Sequence, residues 1–193
     1  ASLLLKKGFD VVASLLGLIL LSPVFAVLAV WIKADSRGPV LFRQTRVTRY
    51  GRAFRIYKFR TMVADAESKG SQVTVQGDSR ITRVGAKLRG CRLDELPQLI
   101  NILKGDMSFV GVRPEVPRYV EQYTDEMYAT LLLPAGVTSQ ASILYRDEQR
   151  LLDGAADPDR TYVEEVLPQK MAYNLRELAS FSFWQDIRTM FRT

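Results

Sequence analysis

The chain has no histidine and a single cysteine, Cys91. Without histidine there is no Ser-His-Asp or Cys-His catalytic centre and no zinc site of mixed His and Cys ligands. With one thiol there is no internal disulfide. Any chemistry therefore rests on carboxylates, lysines, tyrosines, hydroxyls or that thiol. Scarce cysteine fits a reducing compartment. Internal repeats and low-complexity segments are also missing. A composition of 47% hydrophobic and 25% charged residues excludes global disorder. The 193 residues carry 27 basic and 21 acidic side chains, a net charge of +6, and fit one domain or one domain with a short anchor.

Charge is nearly absent from one place. Val11 to Ile32 is a run of 22 residues whose only polar side chains are Ser14 and Ser22. A straight helix of that length, at about 1.5 Å per residue, just crosses a bilayer core of about 30 Å. Three readings compete: a signal peptide, a spanning helix and a re-entrant hairpin that enters and leaves by one face. The run is longer than a signal-peptide core and shows no clear cleavage site. Ser22-Pro23 lies in its middle, where proline removes a donor and breaks or kinks a helix. The serine hydroxyl is able to bond a carbonyl freed by that break. Lys6 and Lys7 precede the run, and Lys33 and Arg37 follow it. Basic flanks are normally cytoplasmic, so both flanks on one side favour the hairpin.

Acid is missing from the next stretch. Gly38 to Ala64 holds Arg43, Arg46, Arg49, Arg52, Arg55, Lys58 and Arg60, and no Asp or Glu. Its Val, Phe, Thr and Tyr content suits two strands, Val40–Thr48 and Ala53–Thr61, turned at Tyr50-Gly51-Arg52. Phe54, Ile56 and Phe59 suit a pleated surface with one buried face. Such a basic hairpin is solvated, or faces anionic lipid, a polyphosphate or nucleic acid. Val63 to Ser79 is polar, without apolar period, and reads as a surface loop.

Ile81 to Pro114 is the most informative stretch. Leu96, Leu99, Ile100 and Leu103 recur at helical spacing, and Gly105 is a natural stop. Pro97 must lie in the first turn, which puts the helix start near Asp94. An Asp94-Glu95 pair there reads as a cap with dipole pairing. Arg83, Lys87, Arg89 and Arg92 upstream and Arg113-Pro114 downstream suggest more. Helix N-termini attract phosphate, and carboxylates beside cations serve metal-assisted phosphoryl transfer. With no histidine, a carboxylate nucleophile is the economical proposal.

LDELPQLINILKGDMSFVGVRPE, preceded by YKFRTM at Tyr57–Met62 and by the Ser22-Pro23 break, resembles the monotopic phosphoglycosyl transferases. These bacterial sugar transferases start the assembly of membrane-linked glycans. The likeness runs from about Lys6 to Thr193, and the size resembles the small single-domain members. The resemblance implies transfer of a sugar-1-phosphate from a nucleotide diphosphate sugar, usually a UDP-sugar, to polyprenyl (undecaprenyl) phosphate. The products would be a polyprenyl diphosphate sugar and UMP. It implies that Asp94 is a nucleophile forming a covalent phosphosugar intermediate. Glu95 would share a Mg2+ ion with Asp94 or assist the lipid phosphate. Lys58, Arg60, Arg89, Arg113 and Pro114 would bind substrate. It further implies the cytoplasmic face of the bacterial inner membrane, membrane lipid and polyprenyl phosphate as partners, no nucleic acid, and room for a homodimer. Three positions depart from the pattern: Val112 replaces a usual proline, Pro134–Ile143 lacks a usual Gly-Trp-Ala-Gln, and Asn174 stands where an acid is common.

Arg118–Leu133 and Thr161–Leu178 read as amphipathic helices, and Asp153–Asp159 as a loop. Phe181, Phe183, Trp184, Ile187, Met190 and Phe191 form a terminal stripe that packs on the core or lies in a membrane interface. The expected fold is α/β: residues 1–37 as a re-entrant hairpin with its flanks, and 38–193 as a cytoplasmic catalytic domain. That domain would hold a small antiparallel sheet and interfacial helices. The alternative is a membrane-tethered basic module that binds anionic lipid or nucleic acid without catalysis. It needs the arginines of Arg43–Arg60 and leaves Asp94 dispensable.

Overall fold

In the computed structural model, residues 2–68, 73–74, 77–145, 152 and 155–193 are described. Parts of the expected loops, 69–72 and 75–76 in the first and 153–154 in the second, lie outside them.

The apolar run forms two helices, α1 (Ser2–Leu20) and α2 (Ser22–Asp35), bent by 61°. No single helix among the described residues is long and apolar enough to cross a membrane, but the bent pair passes the test of length and composition together. Pro23 in the first turn of α2 leaves the Ile19 carbonyl without its amide donor. The Ser22 hydroxyl donates to that same carbonyl at 2.8 Å. Side-chain placement on α1 is inverted relative to a soluble helix. Lys6, Asp10 and Ser14 are buried, while Leu4, Leu5, Val12, Leu16 and Leu20 are exposed. Lys6 donates to the Val110 carbonyl at 2.7 Å and pairs with Asp186, and the Phe109 amide donates to Asp10. The basic flank at Lys6 is therefore turned into the protein. At the other end, Asp35 accepts from the Val84 amide at 3.1 Å. Both legs of the bent pair thus end on the same body.

The basic stretch forms an antiparallel hairpin, β1 (Leu41–Val47) and β2 (Ala53–Phe59), with Leu41 opposite Phe59 and Val47 opposite Ala53. Its turn, Arg49–Gly51, needs positive φ at Tyr50 (58°) and Gly51 (73°). Phe54 and Ile56 pack with Ile102, Met107 and Ala135. Phe59 points the other way, as odd spacing requires, and joins Leu28, Ile32, Val84 and Leu88. The expected single buried face is therefore two buried faces, because α2 covers one end of the hairpin.

A second sheet, not expected from the sequence, pairs β3 (Met107–Val110) with β4 (Ala135–Thr138) in parallel. Gly136 of β4 meets Gly111, one residue past β3, back to back: a Cβ on Gly136 would lie 2.1 Å from the Gly111 nitrogen. The Thr48 hydroxyl joins the sheets, donating to the Asp106 carbonyl at 2.7 Å and accepting from the Ala135 amide at 3.1 Å.

Two further helices were expected. Arg118–Leu133 is instead a series of short turns, Pro117–Val120, Asp125–Tyr128 and Ala129–Leu132, interrupted where Thr124 caps the second. Thr161–Leu178 is helical, entered through a turn at Pro158–Thr161 and a π-turn at Tyr162–Val166. Helix α5 here denotes its regular part, Leu167–Ala179. Tyr119, Tyr162, Val166, Leu167 and Met171 pack together in the largest core. The chain ends in α6 (Phe183–Arg192), with Trp184 73% and Phe191 89% exposed, while Phe183 packs edge-on against Phe9 of α1.

Candidate active site

Two helices frame the acid pair. Helix α3 (Arg83–Gly90) starts at Thr82, whose side chain caps the Gly85 amide. Gly85 lets this helix meet the backbone beyond β2, since a Cβ there would lie 2.0 Å from the Thr61 carbonyl oxygen. After α3 the chain reverses through Arg92 in the left-handed region (φ 54°). It then forms a 3-10 turn, Leu93–Glu95, before α4 (Gln98–Leu103). The expectation of a helix starting near Asp94 is corrected here. Pro97 caps α4, and the acid pair occupies the tighter turn ahead of it. Asn101 of α4 is fully buried and fixes this arrangement to β2. It accepts from the Tyr57 amide at 2.9 Å and donates to the Arg55 carbonyl at 2.8 Å. One amide thereby satisfies the β2 edge left open by a two-stranded sheet.

The two carboxylates differ sharply. One oxygen of Glu95 accepts from Lys58 at 3.0 Å and from Arg113 at 2.7 Å. Burial works to raise the Glu95 carboxyl, but Arg113 and Lys58 outweigh it and hold it well below the usual carboxylate range. Asp94 is 9% exposed and has no hydrogen bond or ion pair among the described residues. Burial pushes its carboxyl up, Lys58 pulls it down, and Glu95 pushes it up again. The pair is thus one structural anion and one available anion.

Two cavities meet at this point. The larger, about 760 Å³, runs along the β1–β2 hairpin to Asp94, past Phe42, Lys58, Arg60, Met62 and Arg89. The smaller, about 570 Å³, is lined by Arg46, Lys58, Arg89, Arg113, Tyr145 and Lys170 as well as the acid pair. Of the residues singled out from sequence, the structure brings together Lys58, Arg89, Asp94, Glu95 and Arg113. Arg60 borders the larger cavity, but its guanidinium is spent on Ser36 and the Pro39 carbonyl, with bonds of 2.6 to 2.8 Å. Pro114 stands behind the site, its carbonyl accepting from Arg46 at 3.1 Å. Ser22 and Pro23 sit at the bend of the hairpin, away from it.

Several lining residues had no individual signal in the sequence. Arg46 borders both cavities and looked like one arginine among six. Glu115, Tyr162 and Lys170 form a buried relay: Tyr162 donates to Glu115 at 2.5 Å and accepts from Lys170 at 3.0 Å. A buried lysine and glutamate more than fifty residues apart leave no local pattern. Among the departures, Val112 uses its carbonyl to accept from the Gly136 amide at 2.8 Å. Ser142 and Tyr145, in or just past the stretch that lacks Gly-Trp-Ala-Gln, line the smaller cavity. Asn174 is buried with its carbonyl oxygen unpartnered and lines neither cavity.

Comparison with known proteins places this geometry. A family model described as bacterial sugar transferase matches residues 1–193. The chain is 39% identical over 193 residues to a UDP-N-acetylgalactosamine-undecaprenyl-phosphate N-acetylgalactosaminephosphotransferase of Aeromonas hydrophila, covering 98% of this chain and 42% of that one. It is 37% identical to a UDP-glucose:undecaprenyl-phosphate glucose-1-phosphate transferase of Escherichia coli, with 98% and 39% covered. An exopolysaccharide production protein of Rhizobium leguminosarum is 37% identical, with 99% and 94% covered. The chain spans about two-fifths of the length of the first two. With the whole chain matched and the acid pair, Arg89 and Arg113 gathered at one cavity junction, the protein belongs to the bacterial sugar transferase family.

Proposed function

We propose that the protein transfers a sugar-1-phosphate from a UDP-sugar to undecaprenyl phosphate, with release of UMP, as the first membrane step of glycan assembly. The observation that carries this reading is the buried, unpartnered carboxylate of Asp94 at the meeting point of two cavities, next to a second carboxylate that is fully neutralised. In the first half-reaction an Asp94 oxygen attacks the sugar-bearing phosphorus of the donor. The bond from that phosphorus to the bridging oxygen breaks, and UMP leaves with the electron pair. An acyl-phosphate linked to the sugar remains on Asp94. In the second, an oxygen of the lipid phosphate attacks the same phosphorus. The acyl-phosphate bond breaks, giving the polyprenyl diphosphate sugar and restoring the carboxylate.

The smaller cavity suits the donor, because Arg46, Lys58, Arg89 and Arg113 face a diphosphate and Ser142, Tyr145 and Lys170 offer polar contacts to the rest. Glu95 holds Lys58 and Arg113 in place, so its role is to position the phosphate-binding cations. Arg60 is a positioning residue that ties the β2 end to the hairpin exit. Pro114 braces Arg46.

A magnesium ion fits this donor set. No cluster of three or more His, Cys, Asp or Glu is present among the described residues. Magnesium needs none, since one or two carboxylates with substrate phosphates commonly suffice. Asp94 would hold it together with the diphosphate, while the charge of Glu95 is already taken by two cations. Bound there, the ion would neutralise phosphate charge.

The inverted α1, the Ser22-Pro23 break and the return of both helical legs to one body support a re-entrant hairpin in the bacterial inner membrane, with the domain on the cytoplasmic face. The exposed Trp184 and Phe191 of α6 support an interfacial helix. The test is UMP release by purified protein in nanodiscs with Mg2+, undecaprenyl phosphate and a panel of UDP-sugars. Sustained release that needs lipid, Mg2+ and Asp94 is expected, with no more than one equivalent of UMP from donor alone. Release that survives Asp94→Asn overturns the assignment.

A further inference from the structure

Two carboxylates at the smaller cavity each gather two cations. Glu95 does so with Lys58 and Arg113. Glu115, which is buried, does so with Arg46 and Lys170. Its backbone is pinned to β1, since its carbonyl accepts from the Val47 amide at 3.0 Å. Its carboxylate Oε2 lies 3.9 Å from Arg46 Nη1, and Oε1 lies 4.0 Å from Lys170 Nζ. The Tyr162 hydroxyl links the last two, donating to Oε1 at 2.5 Å and accepting from Lys170 at 3.0 Å. Tyr162 opens the π-turn Tyr162–Val166, a rare backbone form that is frequent at functional sites. Its ring packs on Tyr119, yet the residue also lines the cavity. The segment Arg113-Pro114-Glu115 joins the two groups. The Arg113 side chain bonds Glu95, while the Pro114 carbonyl and the Glu115 carboxylate both face Arg46. Burial pushes the Arg46 guanidinium down from its ordinary value, and Glu115 pulls it back up. Arg46 Nε is buried with no hydrogen-bond partner among the described residues.

We propose that Glu115, Tyr162 and Lys170 form a second cation clamp, in which Tyr162 is the positioning residue that turns the Glu115 carboxylate onto Arg46 and so holds Arg46 ready for the donor diphosphate. The inference rests on the reaction proposed above. With Oε1 occupied by Tyr162, Oε2 is the oxygen left for Arg46. One carboxylate between two cations leaves one positive charge in excess, as Glu95 does with its own pair. The wall therefore stays attractive to phosphate. An arginine side chain is rotamer-rich, and ordering it before the donor arrives spares binding that cost. Core packing alone gives no reason for this pattern. An apolar ring would fill the space of Tyr162, and a lysine and a glutamate buried beside it lose hydration that packing does not return.

The experiment uses the full chain in nanodiscs with Mg2+. It reads UDP affinity by calorimetry, Tm by intrinsic fluorescence and UMP release from UDP-sugars. Arg46→Gln and Tyr162→Phe should each weaken UDP binding about tenfold, the worth of one hydrogen bond to a charged group. The double variant should be no weaker than Arg46→Gln alone, because Tyr162 acts through Arg46. Tyr162→Phe should also lower the donor kcat/KM by a similar factor and by more than the acceptor kcat/KM. Val166→Ala and Met171→Ala thin the same core without touching a charge, so they should lower Tm and leave UDP affinity as it is. Unchanged affinity in Tyr162→Phe, losses that add in the double variant, or affinity that tracks Tm across all the variants overturns the clamp. Affinity that Arg46→Gln leaves unchanged overturns the smaller cavity as the donor site, and the clamp with it. Coupled losses of UDP affinity without UMP from any UDP-sugar would sink the reaction and leave the clamp standing.

Discussion

Glu95→Gln keeps the shape of the side chain and removes the charge on which two cations converge. Lys58 lies 3.0 Å away with its side chain 19% exposed, and Arg113 lies 2.7 Å away at 37%. Removing one partner of a fully buried ion pair costs about 3–5 kcal/mol. Arg113 keeps part of its hydration, so the expected loss is about 2–3 kcal/mol. At about 2–4 °C per kcal/mol for a chain of this size, Tm should fall by about 4–12 °C. Lys58→Met leaves Glu95 its bond to Arg113 and should cost about 1–2 kcal/mol. The double variant strips both charges, so its loss should fall short of the sum by about 1–2 kcal/mol. The sign with pH follows. The Glu95 carboxyl is held below its unfolded value, so its contribution is present above about pH 4.3 and fades as pH falls from there toward its folded value. Thermal unfolding in detergent, followed by intrinsic fluorescence across the four proteins of the cycle, reads all of this. A Glu95→Gln Tm within about 1 °C of the parent, or strictly additive losses, would refute the claim that Glu95 is the anchor of the cation pair.

Other expectations follow from the same geometry. Asp94→Asn should abolish sugar transfer while leaving Tm equal or about 1–3 °C higher, because a desolvated carboxylate without a hydrogen bond opposes folding once ionised. A clear fall in Tm would instead make Asp94 structural. Burial holds the Asp94 carboxyl above its ordinary value of about 4, so the donor kcat/KM should decline with acid from a higher pH than a solvated aspartate would give. Lys58→Met removes the principal charge pulling that carboxyl down and should move the acid limb higher still; a limb that stays put argues against Asp94 as the titrating group. Gly136→Ala forces a Cβ to 2.1 Å from the Gly111 nitrogen and should part the β3–β4 ladder, read as loss of soluble, folded yield in detergent extracts. Pro23→Ala restores a donor to the Ile19 carbonyl and should straighten the hairpin, read by accessibility of a cysteine placed at Leu4 to impermeant thiol reagent from each face.

Local signals carried well. Ser22-Pro23, Tyr50-Gly51 and Gly105 each mark a backbone event that needs a particular residue, and each event occurs there: a bend, a positive-φ turn and a positive-φ stop. The acid pair was legible for the same reason, because Pro97 and the apolar spacing fix a helix start to within a few residues. The division of labour between the two carboxylates was not legible. It depends on Lys58, thirty-seven residues away, and on Arg113, eighteen away, both brought in by tertiary packing. Arg60 shows the converse: its motif position suggests a phosphate ligand, but the chain turn at Ser36 and Pro39 claims its donors. The parallel β3–β4 pair escaped because four-residue strands give no alternating period. The Glu115–Tyr162–Lys170 relay escaped because Glu115 lies on a segment far in sequence from the helical stretch that carries Tyr162 and Lys170.

The central claim is that Asp94 becomes covalently linked to the sugar phosphate. The most direct test is to incubate the protein in nanodiscs with Mg2+ and a turned-over UDP-sugar but no lipid acceptor, quench, and map the peptide spanning Leu93–Lys104 by mass spectrometry. The account predicts an adduct of one sugar-phosphate on Asp94, formed in step with UMP and discharged when undecaprenyl phosphate is added. UMP formed without any adduct, or an adduct on another residue that persists in Asp94→Asn, would contradict it.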